Sequence, residues 1–107
     1  MLLVSTTTDS EAAAMRLAKE LVERRLAACV QVMGPIKSVY RWQERVETAD
    51  EWLCTAKTLR VRWDAVRRLI EELHPYDTPE VVAVPIESAS AAYGRWLAEQ
   101  CDGADAG

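Results

Sequence analysis

Hydrophobic and polar positions along this chain switch between a period near two and a period near 3.6, and the switches mark its elements. Leu2–Thr8 is rich in β-formers and predicts a first strand. Thr8-Asp9-Ser10-Glu11 supplies N-cap candidates and an acid for the first helical turn. From there to Arg25 the apolar residues Met15, Ala18, Leu21 and Val22, then Leu26, recur at helical spacing and predict one buried face. Ala28–Trp42 reads as a long strand with a bend or bulge at Gly34-Pro35. Beyond the bend, Ile36, Ser38, Tyr40 and Trp42 share one face, and Lys37, Val39 and Arg41 the other. Polar Gln43–Asp50 reads as a hairpin tip and Glu51–Thr58 as the partner strand. A ribbon of this length needs support, because isolated hairpins are marginal in water.

A second helix is expected over about Arg62–Leu73, with Trp63, Val66, Ile70 and Leu73 as its apolar stripe. Pro75 disfavours helical geometry at His74, so that helix should stop there. Pro79–Ile86 reads as the last strand, and its run Val81–Val84 lacks polar alternation, as in a strand covered on both faces. Ser88–Gln100 predicts a third helix with Ala92, Tyr93, Trp96 and Leu97 inward. The order β-α-β-β-α-β plus a terminal helix predicts an α+β, ferredoxin-like domain over residues 1–107. Its sheet is expected to be antiparallel, with both main helices on one face and a second subunit covering the other. The final segment CDGADAG, about 101–107, reads as a flexible tail with Cys101 exposed.

Composition narrows the function classes. A net charge of −4 argues against nucleic acid as a partner. Nothing approaches the ~20 apolar residues of a membrane span, and no secretory signal is evident. The three cysteines, Cys29, Cys54 and Cys101, form no CxxC pair. That suggests neither a disulfide framework nor a structural zinc site, and a reducing cytoplasm is the expected compartment. The chain has no GxSxG, HExxH or P-loop, so it is expected not to be an enzyme.

Candidate chemistry centres on HPYDTPEVVAVPI, His74–Ile86, which holds the only histidine and three of the four prolines. His74 reads either as a copper or zinc ligand or as a helix-terminal residue bonding the last carbonyls. Cys29 and Cys54 are soft donors for copper, or small buried hydrophobes. Tyr40, Trp42, Glu47, Lys57, Tyr76 and Asp77, with Glu80 nearby, would form a polar-aromatic cleft if the hairpin packs against the His-Pro-Tyr turn. The same residues would equally suit an interface between subunits. Asp77 also reads as a turn residue next to Pro79.

The segments LVERRLAACVQV, IKSVYRWQ, EWLCTAKT and HPYDTPEVVAVPI, followed by Tyr93 and Trp96, resemble the CutA divalent-cation tolerance family from about Leu3 to Leu97. The resemblance implies a ferredoxin-like subunit in a compact homotrimer similar to the PII signalling proteins. It also implies a cytoplasmic protein associated with divalent metal, chiefly copper. His74 is then the first candidate ligand, with Cys29 or Asp77 completing a weak, non-catalytic site. The alternative is a PII-like signalling or scaffold trimer with a small molecule at the inter-subunit cleft. The chain departs from the family pattern at four places. Glu44-Arg45 stands where Gly-Lys is usual at the hairpin tip, and Asp77 where glutamate is common. Ser5 and Leu73 replace a cysteine and a histidine found in some relatives. A tip that needs positive φ would be strained at Glu44.

Overall fold

The computed structural model describes residues 1–102; 103–107, the rest of the expected tail, lie outside the described residues. Strand β1 (Leu2–Thr8) leads to helix α1 (Glu11–Glu23), then to strands β2 (Cys29–Trp42) and β3 (Arg45–Thr58). Helix α2 (Trp63–Leu73), strand β4 (Val82–Pro85) and helix α3 (Ala91–Cys101) follow. The strands form one four-stranded sheet in the order β2-β3-β1-β4, and every neighbouring pair is antiparallel.

Helix α1 begins at Ser10, whose hydroxyl accepts the Ala13 N–H at 3.1 Å. It ends at Arg25, which takes a left-handed φ of 58°. There the Arg25 and Leu26 N–H groups close back onto the Val22 and Leu21 carbonyls at 3.0 and 2.9 Å. An arginine in this conformation is strained, but its guanidinium donates to the Glu99, Gln100 and Asp102 carbonyls at 3.2–3.3 Å. It thereby supplies partners for the end of α3.

The core lies between the sheet and the first two helices. Leu2 and Val4 of β1 meet Leu17 and Leu21 of α1 and Val66, Leu69 and Ile70 of α2. The buried face of α1 is rotated from the expected one: Ala14, Leu17, Ala18 and Leu21 are inside, while Met15 and Val22 are exposed. In α3 only Leu97 of the expected inner residues is buried, and it packs with Cys101 and Ala28. Tyr93 and Trp96 stack on each other outside, with ring centroids 5.4 Å apart. Cys101, expected in an exposed tail, closes α3 and is fully buried.

The hairpin is longer than its polarity suggests. Strand β3 starts at Arg45, so the tip is only Gln43-Glu44, with φ of 49° and 65°. Two positive φ values are what a tight two-residue hairpin turn demands, and this chain adopts them without glycine. A bulge lies between Met33 and Ile36, where Gly34-Pro35 faces Trp52 alone. Strand β4 is shorter than expected, and within the single chain Val82 and Val84 are 49% and 52% exposed, on the face expected to meet a second subunit. Along with Met33 they lie on the helix-free side of the sheet.

Candidate functional site

The His-Pro-Tyr segment carries the chain from the helix layer around the end of β1. His74 leaves helical geometry at φ −71°, ψ 138°, as the following proline favours, while its N–H still reaches the Ile70 carbonyl at 2.9 Å. Its ring is buried. Nδ1 accepts the Tyr76 N–H at 3.0 Å, so the proton resides on Nε2, which donates to the Thr7 carbonyl at 2.7 Å. Both ring nitrogens are thus committed. His74 ties the end of α2, the end of β1 and the turn into one unit.

That turn delivers Tyr76, whose ring lies 4.7 Å from the imidazole. The Tyr76 hydroxyl donates to Glu51 Oε2 at 2.7 Å. Burial holds the phenol well above its ordinary range, aided by the hydrogen bond to Glu51 and the charges of Glu51 and Asp9. Glu51 itself is only 7% exposed. Between this pair and the outer half of β2 runs an open groove of about 780 Å³. Tyr40 and Trp42 form one wall, and Tyr76, Asp77 and Glu80 the other.

Five expected cleft residues therefore come together: Tyr40, Trp42, Tyr76, Asp77 and Glu80. Two do not. Glu47 stands opposite Tyr40 in the ladder but outside the groove lining. Lys57 lies at the far end of β3, where its ammonium donates to Gln31 Oε1 at 3.0 Å. Glu51 and the Thr7 carbonyl were not anticipated. Strand alternation carried a signal for Glu51, which shares a face with Leu53, Thr55 and Lys57.

The proposed ligands His74, Cys29 and Asp77 are not assembled into one site. Cys29 sits across from Lys57 and Leu3, whereas His74 bonds Thr7, four residues farther along β1. Such an offset is about 13 Å of strand. Asp77 is exposed at the groove. Among the described residues no group of three or more His, Cys, Asp or Glu side chains is placed to hold a metal ion. A resident metal held by these residues within one chain does not fit this donor set. The three cysteines are free; burial pushes the Cys54 thiol up to about 11, and Cys54 contacts the Ala14 carbonyl.

Comparison with known proteins gives this architecture a lineage. The sequence pattern of a family described as CutA1 divalent ion tolerance protein matches residues 2–100. The chain belongs to the CutA1 family. It is 42% identical over 96 residues to the divalent-cation tolerance protein CutA of Thermus thermophilus, covering 90% of this chain and 93% of that one. A solved CutA1 structure from Thermus thermophilus superposes with a TM-score of 0.90 at 40% identity, covering 94% of this chain and 98% of that one. The structure of a periplasmic divalent cation tolerance protein CutA from Archaeoglobus fulgidus superposes with a TM-score of 0.92 at 35% identity, covering 95% and 100%. A chloroplastic CutA of Oryza sativa is 38% identical over 96 residues, but the chain spans only 54% of its length. The shared CutA1 architecture is a mixed α+β subunit with a four-stranded antiparallel sheet and three helices. No helix among the described residues is long and apolar enough to cross a membrane.

Proposed function

We propose that this protein serves divalent-cation tolerance as a cytoplasmic homotrimer, without catalysis, and that it binds divalent metal, copper included, only weakly. Family membership supports the first part. The strand order with two helices on one face supports a ferredoxin-like subunit whose other face closes against its copies in a PII-like ring. The observation that carries the assembly is that open face, where Met33, Val82 and Val84 stand exposed with nothing in the described residues to cover them. Three free thiols suit a reducing compartment. Binding is expected to be weak because the His74 imidazole is already committed, and a metal would have to displace the Thr7 or Tyr76 hydrogen bond to use it.

Light scattering at low micromolar concentration should report three times the 12.0 kDa chain mass. A concentration-independent monomer would remove the assembly. Calorimetric titration of the reduced protein with Cu(I), Cu(II) and Zn(II) should give low affinity that His74→Ala leaves unchanged. Tight binding lost in His74→Ala would restore the imidazole as a ligand and overturn its structural assignment.

A second reading is favoured by the groove. A volume of about 780 Å³ with aromatic and acidic walls suits a small-molecule site of a signalling or scaffold trimer.

A further inference from the structure

His74 is the only histidine of the chain, and its ring is buried with each nitrogen given a fixed part. Nε2 donates to the Thr7 carbonyl at 2.7 Å, and Nδ1 accepts the Tyr76 N–H at 3.0 Å. The first bond survives protonation of the ring, because Nε2 carries a proton in either state. The second does not. A proton on Nδ1 would face the proton of the Tyr76 N–H, and an acceptor would become a second donor. Imidazole is also the one side chain whose ordinary titration falls between about pH 5 and 8. Both bonds lie within one chain and in its interior, so they are independent of what covers the outer surface.

The surroundings offer an imidazolium no ion-pair partner. Strand β1, which Nε2 bonds, reads LLVSTTT and carries no charge. On α2, the acids nearest His74 are Glu71 and Glu72, and both are exposed. In the turn, Asp77 is exposed, and the Tyr76 phenol, held well above its ordinary range, keeps its proton. Asp9 and Glu11, ahead of and at the start of α1, are exposed as well. Buried Glu51 of β3 is engaged by the Tyr76 hydroxyl at 2.7 Å. Among the described residues no carboxylate stands within ion-pairing distance of the ring. An unpaired buried cation is costly, and this one would also leave the Tyr76 N–H without its acceptor.

Tyr76 connects that change to the rest of the fold. Its N–H fixes the turn to His74, its ring lies 4.7 Å from the imidazole, and its hydroxyl reaches Glu51 at the base of the long ribbon. Loss of the Nδ1 bond therefore loosens the root of the segment that holds Glu51.

We propose that His74 is an acid-sensitive latch: a solvent proton taken up at Nδ1 releases the Tyr76 N–H, frees the His-Pro-Tyr turn and slackens its hold on the base of the ribbon. The latch is closed under neutral conditions and open in mild acid, with the Nε2–Thr7 bond keeping the ring in place.

Nuclear magnetic resonance on the assembled protein tests this, since a single histidine gives a single pair of imidazole nitrogen signals. Between about pH 8 and 5 the Nδ1 signal should report one protonation step. Across the same step the Tyr76 amide, corrected for its intrinsic exchange rate, should exchange about tenfold faster or more. Two variants assign the step to Nδ1. The side-chain oxygen of His74→Asn stands near the place of Nδ1 and does not titrate, so Tyr76 should stay protected throughout. His74→Gln extends its amide toward Thr7 and leaves Tyr76 without an acceptor, so Tyr76 should be unprotected throughout. Protection that falls with pH in His74→Asn as in wild type would assign the step to a carboxylate and overturn the latch. So would an imidazole that takes up its proton while Tyr76 stays protected, or one that takes up none over this range. Should both variants fail to fold by circular dichroism, the coincidence of the two wild-type signals, or its absence, decides alone.

Discussion

At the inner end of β3, Cys54, Ala56 and Thr58 are almost fully buried beneath the helices, whereas at the outer end of the same ribbon Val39, Trp42 and Val46 stay more than half exposed. The backbone ladder is continuous through both halves apart from the bulge at Met33/Ile36. Hydrogen bonding therefore does not distinguish them; side-chain cover does. The inner half is held by apolar burial, which scales with area removed from water. The outer half has its ladder, an exposed Lys37–Asp50 ion pair and the groove contacts near Tyr76. An exposed ion pair contributes little. Two halves with similar β-forming content thus differ in what completes them, and the outer one carries hydrophobic residues that only something outside the described chain can bury.

The largest expected effects come from one deletion in the helix layer that covers the inner half and one in the outer half. Leu17, 1% exposed, packs in the core, and Leu17→Ala should destabilise by about 2–5 kcal/mol. Trp42→Ala sharpens the contrast. In the homotrimer proposed above, the indole is buried by a neighbour and its loss should cost about 3–5 kcal/mol. On a ribbon in solvent the cost should stay below ~1 kcal/mol. Denaturant melts at two protein concentrations decide, because coupled dissociation and unfolding raises the midpoint with concentration. A small Trp42→Ala effect would leave the outer half solvated in the working molecule and remove its part in assembly.

A smaller effect is expected at the junction between the halves. A Cβ on Gly34 would sit 2.5 and 2.7 Å from Trp52 Cδ1 and Cγ, and 3.0 Å from the Glu51 carbonyl oxygen. Glycine is needed here for close approach, since the Trp52 ring lies directly over the bulge. Gly34→Ala should cost about 1–3 kcal/mol by overpacking. It should also loosen the outer half relative to the inner, seen as faster amide exchange from Ile36 to Asp50. Uniform exchange in both halves would make the ribbon one rigid unit and dissolve the contrast.

The inner half was more legible in sequence than the outer. β1, the Ser10 cap, the end of α2 at His74 and the bulge at Gly34-Pro35 all announce themselves through local chemistry. The hairpin tip did not, because Gln43–Asp50 is polar and lacks the Asn-Gly signal, yet tertiary pairing extends β3 through it. The rotation of α1 escaped because Ala14 and Leu17 make an equally good helical stripe to Met15 and Val22, and only the sheet chooses between them. Cys101 was hidden by the glycine-rich residues after it, while the Arg62 guanidinium, bonding the Cys101 carbonyl at 2.7 and 2.9 Å, fixes it in place. At the candidate site, the cluster of Tyr40, Trp42, Tyr76, Asp77 and Glu80 followed from the ribbon folding back on the turn. The Glu51–Tyr76 and His74–Thr7 pairings depend on side chains meeting across 25 and 67 residues, which no local pattern encodes.

The smallest expected effect uses pH to separate the regions. Cys54 belongs to the inner half, and burial moves its thiol from the ordinary 9.0 to about 11. Tyr76 clasps the base of the outer half and is raised above its ordinary 10.0, first by burial and then by Glu51. Both groups are neutral when protonated, and the fold disfavours their anions. In the unfolded chain they ionise at their ordinary values, so above those values the unfolded state binds fewer protons and gains stability relative to the native one. The Cys54 contribution is therefore whole below pH 9.0 and is lost as pH rises toward about 11, while the Tyr76 contribution begins to fall only above 10.0. Near pH 10 the Cys54 loss should be about 1 kcal/mol. Urea midpoints measured from neutral to strongly alkaline pH should decline in that order. Cys54→Ala should flatten the first part of the decline, and Tyr76→Phe the later part. An unchanged first slope in Cys54→Ala would mean that the inner half does not exclude water from its thiol. The burial contrast between the two halves of the ribbon would then fail where it is steepest.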